Sequence, residues 1–299
     1  VQTLHDYHHV CPADNLLRGG ERVCEPPACS KLNYVPAITN RCAHGSRSVS
    51  TLSAAETWFQ RARKAYEHGI SRFISPSVFL AQVMARGGWT SVPCDVVPNA
   101  VPLPESTPRS SGAGCHAPSR FVFAGRLSAD KGVDVLLRAA AESGTRVLIA
   151  GDGAQRAELE QLASTLGGKA RSGYSAEFLG RVSGERIDEL LCGAHAAVVP
   201  SVWYENAPMS VLEPMALGVP VIASRIGGIP EMVDDGVEGF LVEPGDAGAL
   251  AEAMRAVAAD SARAFAIGEA GRRRIAGSFS AERHMSLLLE SYRAAGAPA

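Results

Sequence analysis

The chain has 299 residues, of which 46% are hydrophobic and 20% charged, with a formal net charge of −2 at pH 7. That is enough apolar material for one large or two ordinary domain cores, and it excludes wholesale disorder. The small net charge excludes a global attraction to nucleic acid or anionic lipid, and no apolar run approaches the ~18 residues that a membrane-spanning helix needs.

The amino terminus, VQTLHDYHHVCP, lacks the basic, apolar and small-residue order of a secretion signal and starts at Val1, as a processed chain or a fragment does. The chain therefore reads as intracellular. Residues 1–4 read as a strand ending at His5-Asp6, followed by a loop rich in cysteine. Four of the seven cysteines fall early, at Cys11, Cys24, Cys29 and Cys42. Their spacing could hold zinc, but the C-x2-C pairs of common zinc modules are absent, and an odd total in a long chain favours reduced thiols. Unpaired thiols are the plainer reading; a structural metal or a disulfide is the alternative. A helix over 54–66, a strand over 72–75, a helix over 77–85 and a strand over 95–98 follow. The first helix mixes Trp58, Phe59 and Tyr66 with Arg61, Arg63 and Lys64, as an interfacial helix does, although aromatics packed inward are the plainer expectation. Residues 1–104 supply about half of a doubly wound domain, too few strands to close a core.

Residues 105–118 are rich in Pro, Ser and Gly, as a linker is. From 119 to 277 short apolar runs at 121–124, 146–150, 176–179, 196–199 and 219–223 alternate with helix-length stretches such as 132–143 and 155–166. Parallel strands need such crossovers, so this is an α/β doubly wound domain. A last helix over 280–294, within 278–299, carries Leu287, Leu288 and Tyr292 on one stripe and Ser280 as its cap.

Three loops at strand ends carry the chemistry. In FAGRLSADKGVDVLL, Arg126 and Lys131 bracket a turn that opens a helix, where two cations beside helix N–H groups suit a diphosphate. Alone, such a pair is commonly just solvated. In PSVWYENAPMSVLEPMALGVPVIAS, Glu205 and Glu213 stand near a helix start; Asn206 is expected to cap that helix, Pro208 to sit in its first turn, and Pro214 to force a late start or a kink. An ionised Glu213 can accept hydrogen bonds from vicinal hydroxyls, whereas the plainer role of both acids is to complement the helix dipole. In SRIGGIPEMVDDG, Gly227 and Gly228 precede a short helix with Glu231 and let backbone amides approach a ligand. GDGAQR, after 146–150, fails the dinucleotide pattern because Arg156 takes the third glycine's place.

Taken in order, FAGRLSADKGVDVLL, RVLIAGDG, EFLGRVS, VVPSVWYENAPMSVLEPMALGVPVIAS, GGIPEMVDDGVEGFLVEPGD and the terminal helix resemble the retaining, sugar-nucleotide-dependent glycosyltransferases of family 4. The resemblance covers residues 1–292 and is densest over 121–246. It implies the GT-B architecture, two Rossmann-like doubly wound domains facing a cleft, the first of them incomplete here. It further implies that Gly125 opens the donor loop and that Arg126 and Lys131 neutralise the donor diphosphate. Glu205 and Glu213 match the two ends of an E-x7-E motif, the first beside the donor sugar and the second at the nucleotide ribose. Gly227, Gly228 and Glu231 match a loop around the donor, and His5 matches a histidine facing the cleft. Arg126, Lys131, Glu205 and His5 are the residues implied in catalysis. Asn99 lies in an inter-domain segment usually written PNG, where Ala100 replaces the glycine. The last helix is implied to cross back to the first domain. No D-x-D sequence occurs, so neither a metal nor any cofactor is expected, the nucleotide-diphosphate sugar being a co-substrate. The TLHDYHHVCP start is similar to members that build bacterial polysaccharide or lipopolysaccharide, which implies a glycan or lipid-linked acceptor, no nucleic acid, and a cytoplasmic protein with a peripheral contact at the inner membrane face. Because the first domain is expected to begin upstream, the chain alone is expected to be weakly active. The alternative is a non-catalytic, sugar-nucleotide-binding remnant of a truncated gene.

Overall fold

In a computed structural model, residues 1–19, 22–24, 28–29, 32–104 and 120–296 are described. The expected linker, 105–118, lies wholly outside them, Cys115 included. The chain divides into two units. The first comprises Val1–Asn99, Trp203–Ala207 and the segment from Glu282 onward; the second comprises Ala100–Val202 and Pro208–Ala281.

In the first unit, β1 (Gln2–Thr3) leads to a small antiparallel pair, β2 (Leu17–Arg18) and β3 (Arg22–Val23). Helices α1 (Val35–Thr39), α2 (Arg47–Ala62) and α3 (Ala65–Gly69) follow, then β4 (Phe73–Ser75), α4 (Val78–Arg86) and β5 (Cys94–Val96). Among the described residues β1, β4 and β5 form a parallel sheet in the order β1-β4-β5, with Gln2 opposite Phe73 and Phe73 opposite Cys94. Its core is Leu4, Tyr7, Val10, Phe73, Leu80, Val83, Met84 and Trp89.

One helix and one strand of this unit depart most from the sequence expectation. The helix expected over 54–66 begins at Arg47, where Ser46 takes an extended conformation and its hydroxyl accepts from the Val49 amide. It ends at Ala62 because Lys64 turns left-handed, φ +50°. The strand expected over 95–98 is Cys94–Val96 and stops with its pairing to Ser75. Tyr66 packs on the core, but Trp58 and Phe59 are 51% and 50% exposed, so the inward-packing expectation fails for both.

The second unit alternates β6 (Arg120–Ala124), α5 (Val133–Ser143), β7 (Arg146–Ala150), α6 (Arg156–Gly167), β8 (Ser175–Gly180), α7 (Gly184–Cys192), β9 (Ala196–Val199), α8 (Met209–Ala216), β10 (Val221–Ser224), α9 (Ile229–Met232) and β11 (Gly239–Val242). Helices α10 (Ala247–Ala259) and α11 (Ser261–Ser278) close it. The strands form a parallel sheet in the order β11-β10-β9-β6-β7-β8. Buried Phe121, Val147, Ile149 and Val198 pack beneath Leu136, Leu137, Leu250 and Met254, each such side chain contributing about 1.5–3 kcal/mol on leaving water. Strand β11 has no counterpart among the strands read from the sequence; GFLV is a short apolar run whose place is set by pairing with β10, Val221 opposite Gly239. The two helices after it start where Asp246 and Asp260 accept from the amides of Ala249 and Arg263.

The last helix, α12 (Ala281–Ala294), turns Leu287, Leu288 and Ser291 inward, whereas Tyr292, placed on the packed stripe by periodicity, is 40% exposed. Ser291 takes the buried position instead.

Candidate functional site

The strand order fixes where a ligand can bind in the second unit. From β6 the chain moves outward through β7 and β8, then returns to place β9 on the other side of β6. The loops leaving the carboxyl ends of β6 and β9 therefore diverge, and the gap at such a switch point is where doubly wound sheets bind ligands. The loop after β6 is the one that carries Gly125, Arg126 and Lys131.

Glycines hold these loops together by close backbone approach. A Cβ on Gly132, which is left-handed at φ +63°, would stand 2.1 Å from the Pro200 carbonyl oxygen, and the Val202 amide donates to the Asp130 carbonyl at 2.9 Å. A Cβ on Gly153 would stand 2.2 Å from the Leu127 oxygen. The Leu127 amide donates to Asp152 and the Gln155 amide to Leu127. The glycines of GDGAQR thus serve contact with the β6 loop, consistent with their failing the dinucleotide pattern. Only the position of Gly132 and Gly153 after a strand or turn hints, within the sequence, at this need.

Arg126 lies 67% exposed, curled over its own loop: its Nε donates to Ser128 Oγ at 3.2 Å, and a terminal nitrogen stands 3.6 Å from Asp130 Oδ2. That oxygen is buried and has no hydrogen-bond partner. Lys131 closes a short 3-10 turn, Ala129–Lys131, and is half-buried immediately before α5. Both cations therefore belong to the turn that delivers the α5 amino terminus, at the β6 carboxyl end.

Helix α8 begins at Met209, with Pro208 in extended backbone as its cap residue. The expected capping by Asn206 does not occur: its Nδ2 donates to the His5 carbonyl at 2.9 Å instead. The late start expected from Pro214 does not occur: the helix begins five residues before it and runs on through that proline to Ala216. Glu213 lines a cavity of about 350 Å³ with Asp188, Ile187, Leu217 and Pro102. Partial desolvation, with Asp188 adding to it, holds the Glu213 carboxyl above its ordinary pKa. Nothing local in the sequence ties Asp188 of α7 to Glu213 of α8.

After β10, Gly227 is left-handed at φ +62° and Gly228 caps α9. Arg274 of α11 pins this loop, donating to the Glu231 carbonyl and to Asp234, both at 2.9 Å, and reaching Glu238 at 3.3 Å. Glu231 itself is half-buried.

Glu205 and His5 belong to the first unit. Glu205 is 7% exposed within Trp203–Ala207. Tyr7, fully buried, donates to the Tyr204 carbonyl at 3.1 Å, and the Phe79 ring packs against that of Tyr204 at 5.0 Å, tilted by 46°. Burial, then the neighbouring Glu205, drives the Tyr7 hydroxyl far above its ordinary pKa. The side chain of Asn99 donates to the Ala207 carbonyl at 3.1 Å. His5 is exposed, and its backbone oxygen receives Asn206. Gly125, Arg126, Lys131, Glu213, Gly227, Gly228 and Glu231 thus belong to the switch-point unit, whereas Glu205 and His5 belong to the other.

A parallel doubly wound sheet whose switch point offers cations, a helix amino terminus and glycine-lined loops is the Rossmann-like α/β fold of the GT-B class. Residues 116–274, more than half of the chain, match the family described as glycosyl transferases group 1. The chain belongs to that family. It is 38% identical over 175 residues to a D-inositol 3-phosphate glycosyltransferase of Mycolicibacterium smegmatis, covering 54% of this chain and 39% of that protein. The structure resembles that of a sucrose-phosphate synthase from Thermosynechococcus elongatus, TM-score 0.64 at 29% identity, over 74% of this chain and 57% of that one. It also shares its fold with HepE from Anabaena, crystallised with UDP, TM-score 0.67 at 22% identity, over 75% and 64% of the two chains. The chain spans less than half the length of the curated relatives it matches. Among the described residues no helix is long and apolar enough to cross a membrane.

Proposed function

We propose that this protein transfers a sugar from a nucleotide diphosphate to an acceptor hydroxyl with retention of the anomeric configuration, as members of family 4 do. The observation that carries the reading is the β6 loop at the switch point, with Arg126 and Lys131 set into the turn before α5. Breaking the bond to the sugar leaves negative charge on the departing diphosphate. Cations and helix-end amides placed beforehand stabilise that charge more in the transition state than in the bound donor, which is the condition for catalysis. The UDP held by HepE supports a nucleotide donor. Glu213 then accepts from ribose hydroxyls, the Gly227-Gly228 loop and Glu231 border the donor, and Glu205 and His5 serve the transferred sugar. This chemistry asks for no metal or cofactor at the donor diphosphate.

We further propose an acceptor in cell-envelope glycan synthesis, glycan or lipid-linked, reached from the cytoplasmic face. Exposed Leu52, Trp58 and Phe59 on α2, with Arg63 and Lys64 at its end, support a peripheral membrane contact. A calorimetric titration with UDP, GDP and their sugars tests the donor reading: saturable binding that Arg126→Ala with Lys131→Ala abolishes is expected, and failure of every nucleotide to bind would overturn it. Release of nucleoside diphosphate in the presence of an acceptor separates a transferase from a non-catalytic binder.

A further inference from the structure

Between β10 and β11 lie the Gly227-Gly228 turn and α9, a helix of only four residues. A single isolated turn costs more to form than its hydrogen bonds return, so something outside it must hold it. The side chain that does so comes from α11. Half-buried Arg274 donates from Nη2 to the Glu231 carbonyl at 2.9 Å, one of the carbonyls that the end of α9 leaves without a helical partner. Its Nη1 donates to Asp234 Oδ2 at 2.9 Å and reaches Glu238 Oε1 at 3.3 Å. Glu238 is 8% exposed, and its other oxygen accepts the Asp234 amide at 2.8 Å. One guanidinium thus grips the helix end and the turn that follows it. The fork faces the loop at the expense of its Nε, which is buried without a hydrogen-bond partner among the described residues.

The same helix is docked on α8. Arg272 donates to the Ala216 carbonyl, at the end of α8, at 2.6 Å, and to the Pro104 carbonyl. A Cβ on Gly268 would stand 2.0 Å from the Gly218 carbonyl oxygen, so α11 also meets the turn after α8 backbone to backbone. Helix α11 is therefore a common reference for two elements: α8, which carries Glu213, and the loop that carries Gly227, Gly228 and Glu231.

We propose that Arg274 is a positioning residue for the nucleotide sugar: through the Glu231 carbonyl, Asp234 and Glu238 it holds the 227–231 loop in a fixed place relative to Glu213 before any donor arrives. This rests on the donor reading of the switch point given above. Arg274 acts through the loop and not on the substrate, by removing the cost of ordering that loop when the donor binds. Its planar fork matters as much as its charge. A lysine offers one ammonium on a flexible stem, which can serve the two carboxylates or the carbonyl but does not reproduce both contacts at once. Charge and position are therefore separable by substitution.

The test is calorimetric titration of the full chain with UDP, UDP-glucose, GDP and GDP-mannose, wild type beside Arg274→Lys and Arg274→Ala. Arg255→Ala, which loses only an exposed ion pair to Glu142 at 3.8 Å, is the control. Arg274→Lys keeps a cation beside Asp234 and Glu238 and should melt within about 5 °C of wild type, yet bind the nucleotide that wild type prefers about tenfold more weakly. Arg274→Ala should bind more weakly still, and Arg255→Ala as wild type does. Hydrogen exchange of the ligand-free protein gives a second readout. The amides of Glu231 and Val233, bonded to Gly228 and Ile229, should be protected in wild type and exchange about tenfold faster or more in Arg274→Lys, with the β10 amides unchanged. A lysine variant that binds like wild type overturns the proposal and leaves the donor reading standing, whereas wild type that binds none of the four overturns both. Free exchange at Glu231 and Val233 in ligand-free wild type also overturns it, whether or not either variant folds.

Discussion

A Cβ on Gly151 would lie 1.8 Å from the carbonyl oxygen of Gly125, the residue that opens the β6 loop. Gly151 is moreover at φ +144°, outside the range that side-chain-bearing residues tolerate, and its amide donates to Gly180 at 2.8 Å. Gly151→Ala must therefore displace the Gly125 strand end or the Gly180 loop. We expect a destabilisation of about 2–5 kcal/mol by denaturant unfolding, with nucleotide binding lost in whatever fraction folds. A stability within ~0.5 kcal/mol of wild type would show that the loops yield more easily than this contact implies.

Arg126 offers the reverse separation. Its ion pair with Asp130 is long, at 3.6 Å, and the side chain is 67% exposed, so the pair contributes ~0.5 kcal/mol or less. Arg126→Ala should leave thermal unfolding almost unchanged while weakening nucleoside-diphosphate binding about tenfold or more, the loss expected for one charge-assisted contact. Unchanged affinity by titration calorimetry would remove Arg126 from the donor site.

Glu213 tests the sign of a pKa shift. Its pKa is raised in the folded state, so the carboxylate costs stability at neutral pH: the favourable contribution is full below the ordinary carboxylate range and is lost as pH rises through the folded value. Glu213→Gln should therefore unfold at the same or slightly higher temperature than wild type at pH 7, with the gain vanishing in acid. The same variant should bind nucleotide about tenfold more weakly. A lower melting temperature at pH 7 would contradict the sign.

His9 provides an acid-side counterpart in the first unit. It is 4% exposed among Tyr66, Phe73 and Trp89, with ring centroids at 4.8, 5.1 and 5.1 Å, and Trp89 donates to its carbonyl at 2.8 Å. Burial, then the nearby His8, lowers its pKa to about 4 from 6.5. The folded state thus stays neutral while the unfolded chain takes up a proton. Stability is full above pH 6.5 and is lost as pH falls from there to about 4, by on the order of 3 kcal/mol. His9→Phe, melted in parallel with wild type from pH 7 to pH 4, should show a shallower loss; identical slopes would place the titration elsewhere.

Much of the second unit was legible without coordinates. Strands Arg146–Ala150 and Ala196–Val199 fall where the apolar runs placed them, and α5 begins one residue past the expected start, because the period of burial is written in adjacent residues. The helix α4 likewise starts after Ser77, whose hydroxyl accepts from the Leu80 amide. Beyond such local signals the reading weakened. Asn206 looks like a helix cap beside Pro208, yet it is spent on the His5 carbonyl, a partner from the far end of the chain. Strand β11 needed β10 to exist as a strand at all.

By itself the sequence determined the alternation of strand and helix, the cationic β6 loop and the glycine-bearing turns, since each depends on neighbours a few residues apart. Only the tertiary structure decided that β9 returns beside β6, that Gly132, Gly151 and Gly153 are needed for contact between loops, and that Glu205 is buried in the first unit while Glu213 lines a cavity of the second. Those outcomes are fixed by backbone approach and desolvation between segments distant along the chain, and no local spacing encodes either.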